Sequence, residues 1–191
     1  MNLPTILGAA LFTATLATTP ASAAETFTVD PVHSTVVFRI KHLDVSYAYG
    51  RFNDVAGTFT LDRADPAKAR FDFTVKTDSL DTGNAKRDQH VKGPDLFNAQ
   101  QFPTITFQST KVAAAREGAY QVTGNLTMHG VTKPLTVQIE PTGTGKGMQG
   151  VSLAGIETTF TIRRADFQMT GLSPLLGDEV RLTVSVEGNY K

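Results

Sequence analysis

The chain has 191 residues, with 18 Lys and Arg set against 18 Asp and Glu, and no Cys. A zero balance leaves no bulk electrostatic footprint for nucleic acid or for an anionic lipid surface. The absence of cysteine excludes disulfides, thiol catalysis, iron–sulfur ligation and thiolate zinc sites, so an ordinary apolar core must hold the molecule together.

Residues 1–23 read MNLPTILGAALFTATLATTPASA, an apolar run followed by Ala21-Ser22-Ala23. That is the apolar region and small-residue cleavage site of a secretory signal, although its only positive charge is the amino terminus. The run is too short and too rich in Thr and Pro for a membrane span, which takes about 20 apolar residues. The expectation is a cleaved signal over residues 1–23 and one domain over residues 24–191.

From there the side chains alternate with period two, the period of a strand with one wet and one buried face. The runs are Thr35–His42, Val55–Leu61, Phe71–Val75, Ile105–Val112, Tyr120–Met128, Leu135–Ile139, Ile156–Ile162 and Val180–Val186, with a short strand expected at Phe27–Val29. His129-Gly130 falls between two of them and predicts a tight antiparallel hairpin. Asn84–Lys92 breaks the alternation and predicts the only helix, with Asn84 as its cap and Gly93-Pro94 as its end. Leu96, Phe97 and Phe102 follow as groups able to pin that helix. Pro141–Gly150, with four glycines, predicts a flexible connection. Pro134 predicts an unpaired strand edge or a bulge, since proline has no N–H to give a ladder. The fold class is all-β: an eight-stranded antiparallel barrel with one short flanking helix, closure being the way such a sheet loses its edges.

Catalytic chemistry finds no foothold in the pattern. His33, His42, His90 and His129 have no metal-motif spacing. His42 shares the parity of Phe38 and Ile40 and is expected at the barrel end or in the lumen; His90 reads as a solvated or helix-packing group. Ser34 lacks a nucleophile turn, and the glycines near Gly145 lack the rest of a phosphate loop. Arg163-Arg164 reads as a pair held by Asp166. No metal, catalytic residue or cofactor is expected, and the chain reads as a non-enzyme; an enzyme working through His42 or His129 is the weakest reading.

What remains is the apolar face. Its expected lining is Val36, Phe38, Ile40, Phe71, Phe73, Val75, Ile105, Phe107, Val122, Leu126, Leu135, Val137, Phe160, Ile162, Leu182 and Val184. An eight-stranded barrel is just wide enough either to fill with side chains or to hold one small ligand. Two readings follow: a ligand-binding lumen, or a packed barrel serving as a stress-related structural or interaction module.

Five blocks in register resemble the YceI family. They are VDPVHSTVVFRIKHL at Val29–Leu43, GRFNDVAGTF at Gly50–Phe59, NAKRDQHVKGPDLFNAQQFPTITFQST at Asn84–Thr110, GNLTMHGVTKPLTV at Gly124–Val137 and RRADF at Arg163–Phe167. The resemblance implies an extended, lipocalin-like barrel, exported to the periplasm, whose lumen takes a polyprenyl chain or an isoprenoid quinone tail for storage or carriage. It also implies a membrane b-type cytochrome as a partner and gives no oligomeric state. One departure is local: the family usually places Gly after the Asp-Phe pair, and Gln168 stands there in this chain.

Overall fold

Alternation of β-branched and aromatic residues with Thr, Gln and charged residues yields strands over most of the chain. The structure is a computed structural model that describes residues 24–190, so the expected signal segment lies outside the described residues. In chain order the elements are β1 (Glu25–Val29), β2 (Thr35–His42), β3 (Ser46–Phe52), β4 (Val55–Leu61), β5 (Arg70–Lys76), β6 (Leu80–Asp81), α1 (Ala85–Lys92), β7 (Thr104–Ala114), β8 (Tyr120–Met128), β9 (Val131–Lys146), β10 (Ser152–Arg163) and β11 (Leu176–Tyr190).

Hydrogen-bonded order runs β1-β4-β5-β7-β8-β9-β10-β11, and β11 returns to β1, so eight antiparallel strands close on themselves. Three short strands lengthen this wall. β11 pairs with β2 along Leu176–Ser185 and with β1 at Gly188 and Asn189, which makes β1 and β2 one interrupted stave. β3 and β4 form the next, facing β2 and β1 respectively. β6 continues β5 beside β3. One end of the barrel carries the β2–β3 turn, α1, the β8–β9 turn and the segment before β11. The other carries the β4–β5, β7–β8 and β9–β10 turns.

The predicted hairpin is present, with Met128 facing Val131 and a two-residue turn in which His129 and Gly130 both have positive φ. Asn84 caps α1 as expected, its side chain accepting from the Arg87 N–H at 3.0 Å. Two readings need correction. Residues 141–146 are not a loop: β9 runs to Lys146 and pairs with β10 from Glu140↔Glu157 to Lys146↔Ser152, despite its glycines. The second concerns β3, whose pattern had not read as a strand. Its tyrosines, Tyr47 and Tyr49, face outward, and the inward positions hold only Ser46, Ala48, Gly50 and Phe52.

Pairing between β9 and β10 stops at Glu140↔Glu157. The β9 stretch Val131–Ile139 keeps its partner β8 and has none on the β10 side, and Pro134 lies on that open side. Proline is tolerated there because an edge needs no donor. Side chains close the gap: Phe167 and Met169 pack with Leu126 and Met128, flanked by Val131, Leu135 and Ile162.

The two ends of the barrel differ in packing. Toward the β4–β5 turn the interior is solid: Phe27, Phe59, Phe71, Tyr120, Val122 and Val186 are fully buried. Phe27 stacks on Phe59 at 5.4 Å, and Phe71 meets Tyr120 edge-on at 5.8 Å. Among the described residues, no helix is long and apolar enough to cross a membrane.

Candidate functional site

Toward α1 the interior is hollow. A chamber of about 460 Å³ opens at the mouth, and a smaller one of about 100 Å³ lies deeper. They share Val36, Val75, Ile105, Leu126, Phe160 and Leu182 as walls, so the two chambers adjoin inside the barrel. That volume lies in the range of small-molecule sites.

Most of the residues expected on the inward apolar face border one of the two chambers. Val36, Phe38, Ile40, Val75, Ile105, Leu126, Phe160, Ile162 and Leu182 border the outer chamber. Phe73, Phe107, Leu135, Val137 and Val184 border the inner one. Phe71 and Val122 do not reach it. They face inward as predicted, but at the solid end, where their neighbours bury them completely.

Glycines set the bore. Phe38 is directly opposite Gly50, and its ring occupies the space a β-carbon there would take. Phe107 lies against Gly124 in the same manner. Each ring therefore lies along the wall instead of projecting across the lumen. Phe38 meets Phe52 at 5.7 Å, and Phe52 meets Phe97 edge-on at 5.5 Å, which ties the loop after α1 to the barrel. Leu96, buried beside it, completes the attachment expected from the sequence. Phe102 instead packs on His129 at 4.7 Å.

Polar groups concentrate in the outer chamber: His42, Ser46, Thr82, Arg87, His90 and Arg164 are among its lining. Arg87 is fixed there, its Nε donating to Thr82 Oγ1 at 2.8 Å and its Nη2 to the Thr82 carbonyl at 2.6 Å. His42 lies where its parity put it. His90, expected as a solvated or helix-packing group, also contributes to the wall. The inner chamber offers only Thr106, Glu157 and Thr158 as polar neighbours, and the Thr158 hydroxyl is buried without a hydrogen-bond partner.

Arg164 departs furthest from the pairing its sequence neighbours suggest. It is buried, and Asp166 does not hold it. Its Nε donates to the Gly177 carbonyl at 2.9 Å, Nη1 to those of Met169 and Gly171 at 2.6 Å, and Nη2 to that of Leu176 at 3.1 Å. Burial pulls its pKa down, while Asp178 opposes that shift. The side chain acts as a hub that fastens the loop before β11 across one side of the mouth. Arg163 pairs with Asp178 at 2.7 Å, and that bond together with the Ala165 N–H holds the Asp178 carboxyl below its usual range.

The remaining histidines have structural partners. His129 Nδ1 lies 3.0 Å from the Phe167 carbonyl, locking the β8–β9 turn to the segment that closes the wall. His33 Nδ1 sits 2.9 Å from Asp30 and 3.8 Å from Glu187, joining the β1–β2 turn to β11 on the outer surface. Among the described residues this trio is the one grouping of imidazole and carboxylates close enough to hold a metal. It lies outside the cavity lining. Linear spacing had hidden it because Glu187 comes from the last strand.

The YceI-like domain signature matches residues 27–188. A "UPF0312 protein" of Yersinia pestis (strain Pestoides F) is 41% identical over 184 residues, covering 95% of this chain and 93% of that protein. Among solved structures, Burkholderia cenocepacia BcnA superposes with a TM-score of 0.75 at 26% identity, covering 83% of this chain and 98% of BcnA. A polyisoprenoid binding domain from Saccharophagus degradans shares the fold, with a TM-score of 0.66 at 14% identity, covering 86% of this chain and 98% of that domain. With its domain signature, relatives and barrel in agreement, the chain belongs to the YceI family.

Proposed function

We propose that the protein binds an isoprenoid lipid, a polyprenyl chain or an isoprenoid quinone tail, in its lumen, and stores or carries it in the periplasm without catalysing a reaction on it. The observation that carries this reading is the pair of adjoining apolar chambers, the outer one with polar groups in its lining, set inside a barrel whose other end is packed with aromatics. A packed barrel acting only through its surface has no use for such a void, which would forfeit dispersion contacts along its walls. The Saccharophagus domain of the same fold is a polyisoprenoid binding domain, which supports the choice of ligand class.

Energetics favour tail over head. At about 0.8 kcal/mol per buried CH₂-sized group, one five-carbon isoprene unit contributes roughly 3–4 kcal/mol before ordering costs. A typical hydrogen bond nets about 1 kcal/mol. The apolar walls then set affinity, while His42, Arg87 and His90 orient whatever head group stays at the mouth.

The test is mass spectrometry of organic extracts from protein purified without detergent, followed by titration of the stripped protein with a micelle-solubilised isoprenoid quinone. A polyprenyl lipid in the extract and saturable uptake are expected. A clean extract together with no uptake would refute the proposal.

A further inference from the structure

The mouth is bordered by apolar side chains that stay exposed. Leu43 and Val45 at the tip of the β2–β3 turn are exposed, Val45 to 82%. Leu172 and Leu175, in the loop before β11, are exposed as well. The two tips are one surface, because the Leu43 N–H donates to the Leu175 carbonyl at 2.8 Å. That surface runs directly into the lumen, since Leu172 and Leu176 also line the outer chamber. The apolar rim and the apolar cavity are continuous.

Behind the tip the outer wall changes character. The register Ile40↔Ala48 turns Ala48 inward and Tyr47 and Tyr49 outward. Arg39 and Lys41, on the outer face of β2, sit over the Tyr47 ring at 4.3 and 4.7 Å. Arg181 is directly opposite Arg39 in the β2–β11 register. Like charges facing each other across a ladder repel. The acids in this surface depression are Asp178, which is already bound to Arg163, and Glu179. The zero net charge of the chain thus conceals a local basic cluster. At about 3.3 Å per residue, Tyr47 stands roughly 7 Å and Tyr49 roughly 13 Å behind Val45.

Leu43 and Val45 flank the exposed Asp44 at the tip. These two apolar side chains with Leu172 and Leu175, followed by tyrosines and basic side chains over that distance, match the layering of a bilayer surface. The acyl boundary comes first and then head groups and phosphates, with the Asp44 carboxylate kept on the water side. We propose that this rim docks on the surface of a phospholipid bilayer containing anionic lipids. Leu43, Val45, Leu172 and Leu175 enter the acyl boundary, and Arg39, Lys41 and Arg181 meet the phosphates. The lumen then faces the membrane, and an apolar ligand passes between the two without crossing bulk water. The proposal rests on the lipid-binding reading of the cavity for its purpose, but the docking itself is testable without it.

The experiment uses the tip variant carrying Val45→Asp and Leu175→Asp, and separately Arg39→Glu, all at exposed or outward positions that do not line the cavity. Thermal melting checks the fold. Cosedimentation is measured with vesicles of phosphatidylethanolamine and phosphatidylglycerol, and with phosphatidylcholine vesicles as the neutral control. Uptake of isoprenoid quinone from detergent micelles is measured in parallel. The wild-type chain is expected to sediment with the anionic vesicles, the tip variant to stay in the supernatant, and Arg39→Glu to lose the preference for anionic over neutral vesicles. Quinone uptake from micelles is expected to be unchanged in both. Wild-type protein that stays in the supernatant, or a folded tip variant that sediments like wild type, would overturn the proposal. So would a wild-type dimer that the tip variant dissolves, which would make the rim a self-association surface. If quinone uptake is absent throughout while vesicle binding still depends on the tip, the cavity reading fails and the docking surface stands.

Discussion

The ring of Phe38 lies over Gly50 on the neighbouring strand, in the space a side chain at residue 50 would need. The bore of the outer chamber depends on this one missing methyl group, because Phe38 has only the lumen to move into. Gly50→Ala is expected to swing the ring inward and to cost about 1–3 kcal/mol of stability as an overpacked site. Isoprenoid quinone uptake should fall more sharply than the melting temperature. Adding Phe38→Leu to the same chain should restore uptake, and its failure to do so would break the link between ring position and bore.

Thr158 presents the opposite situation, a polar atom inside an apolar wall. Its hydroxyl is buried and unpartnered on the inner chamber. An orphan of this kind costs about 1–3 kcal/mol, and replacing it with an apolar group of the same shape is neutral or stabilising. Thr158→Val is therefore expected to raise the denaturant midpoint, by about 1 kcal/mol in stability, and to tighten tail binding. Weaker uptake in a more stable variant would mean that the hydroxyl meets a polar group of the ligand.

Parity along a strand says which face a residue presents, and for this reason Val36, Phe107 and Leu182 could be placed in the lumen from sequence. Depth along the barrel axis is another matter. Phe71 and Phe73 share a strand and a face, yet one is sealed in the solid end and the other borders the inner chamber. β3 was hidden for a related reason: its inward residues Ser46, Ala48 and Gly50 are small, Gly50 making room for Phe38, while the large Tyr47 and Tyr49 point outward, so that only Phe52 follows the usual pattern. Arg164 bonds to backbone carbonyls, which carry no residue-type signal, so its sequence neighbour Asp166 drew the assignment instead.

The Gln168 departure from the family pattern has a local cost. Gln168 ends the turn Arg164–Phe167 with φ 60° and ψ 19°, a left-handed conformation that suits glycine. A side chain there costs roughly 1–2 kcal/mol, partly offset by the greater freedom glycine has in the unfolded chain. Gln168→Gly is expected to stabilise the protein by up to about 1 kcal/mol in chemical denaturation. A loss of stability would show that the glutamine side chain makes a compensating contact.

The clamp between the β1–β2 turn and β11 should respond to pH. The Asp30 carboxylate raises His33 above its ordinary 6.5, and His33 in turn lowers Asp30 below 3.8. A raised histidine contributes its full stabilisation below about pH 6.5 and loses it as pH rises through the higher folded value. The depressed Asp30 contributes above about pH 3.8 and loses its share as pH falls through its folded value. His33→Gln should melt below wild type in mildly acidic buffer, and the difference should shrink toward alkaline pH. A difference independent of pH would assign the clamp to packing, not charge.

Arg164 is expected to be the most sensitive single residue of the mouth. Removing its guanidinium leaves the carbonyls of Met169, Gly171, Leu176 and Gly177 without their donors and releases the loop that carries Leu172 and Leu175. Arg164→Met keeps the stem but no donor, and a loss of about 3 kcal/mol follows if most of those carbonyls stay out of water. Arg164→Lys, with three donors on a narrower head, should recover part of the loss, since the ammonium reaches fewer carbonyls than the planar fork does. Hydrogen exchange separates this hub from a general core defect. Protection should drop over residues 165–177 in Arg164→Met while the amides of β4, β5 and β8 at the solid end stay protected. Uniform loss of protection would instead make Arg164 an ordinary core residue.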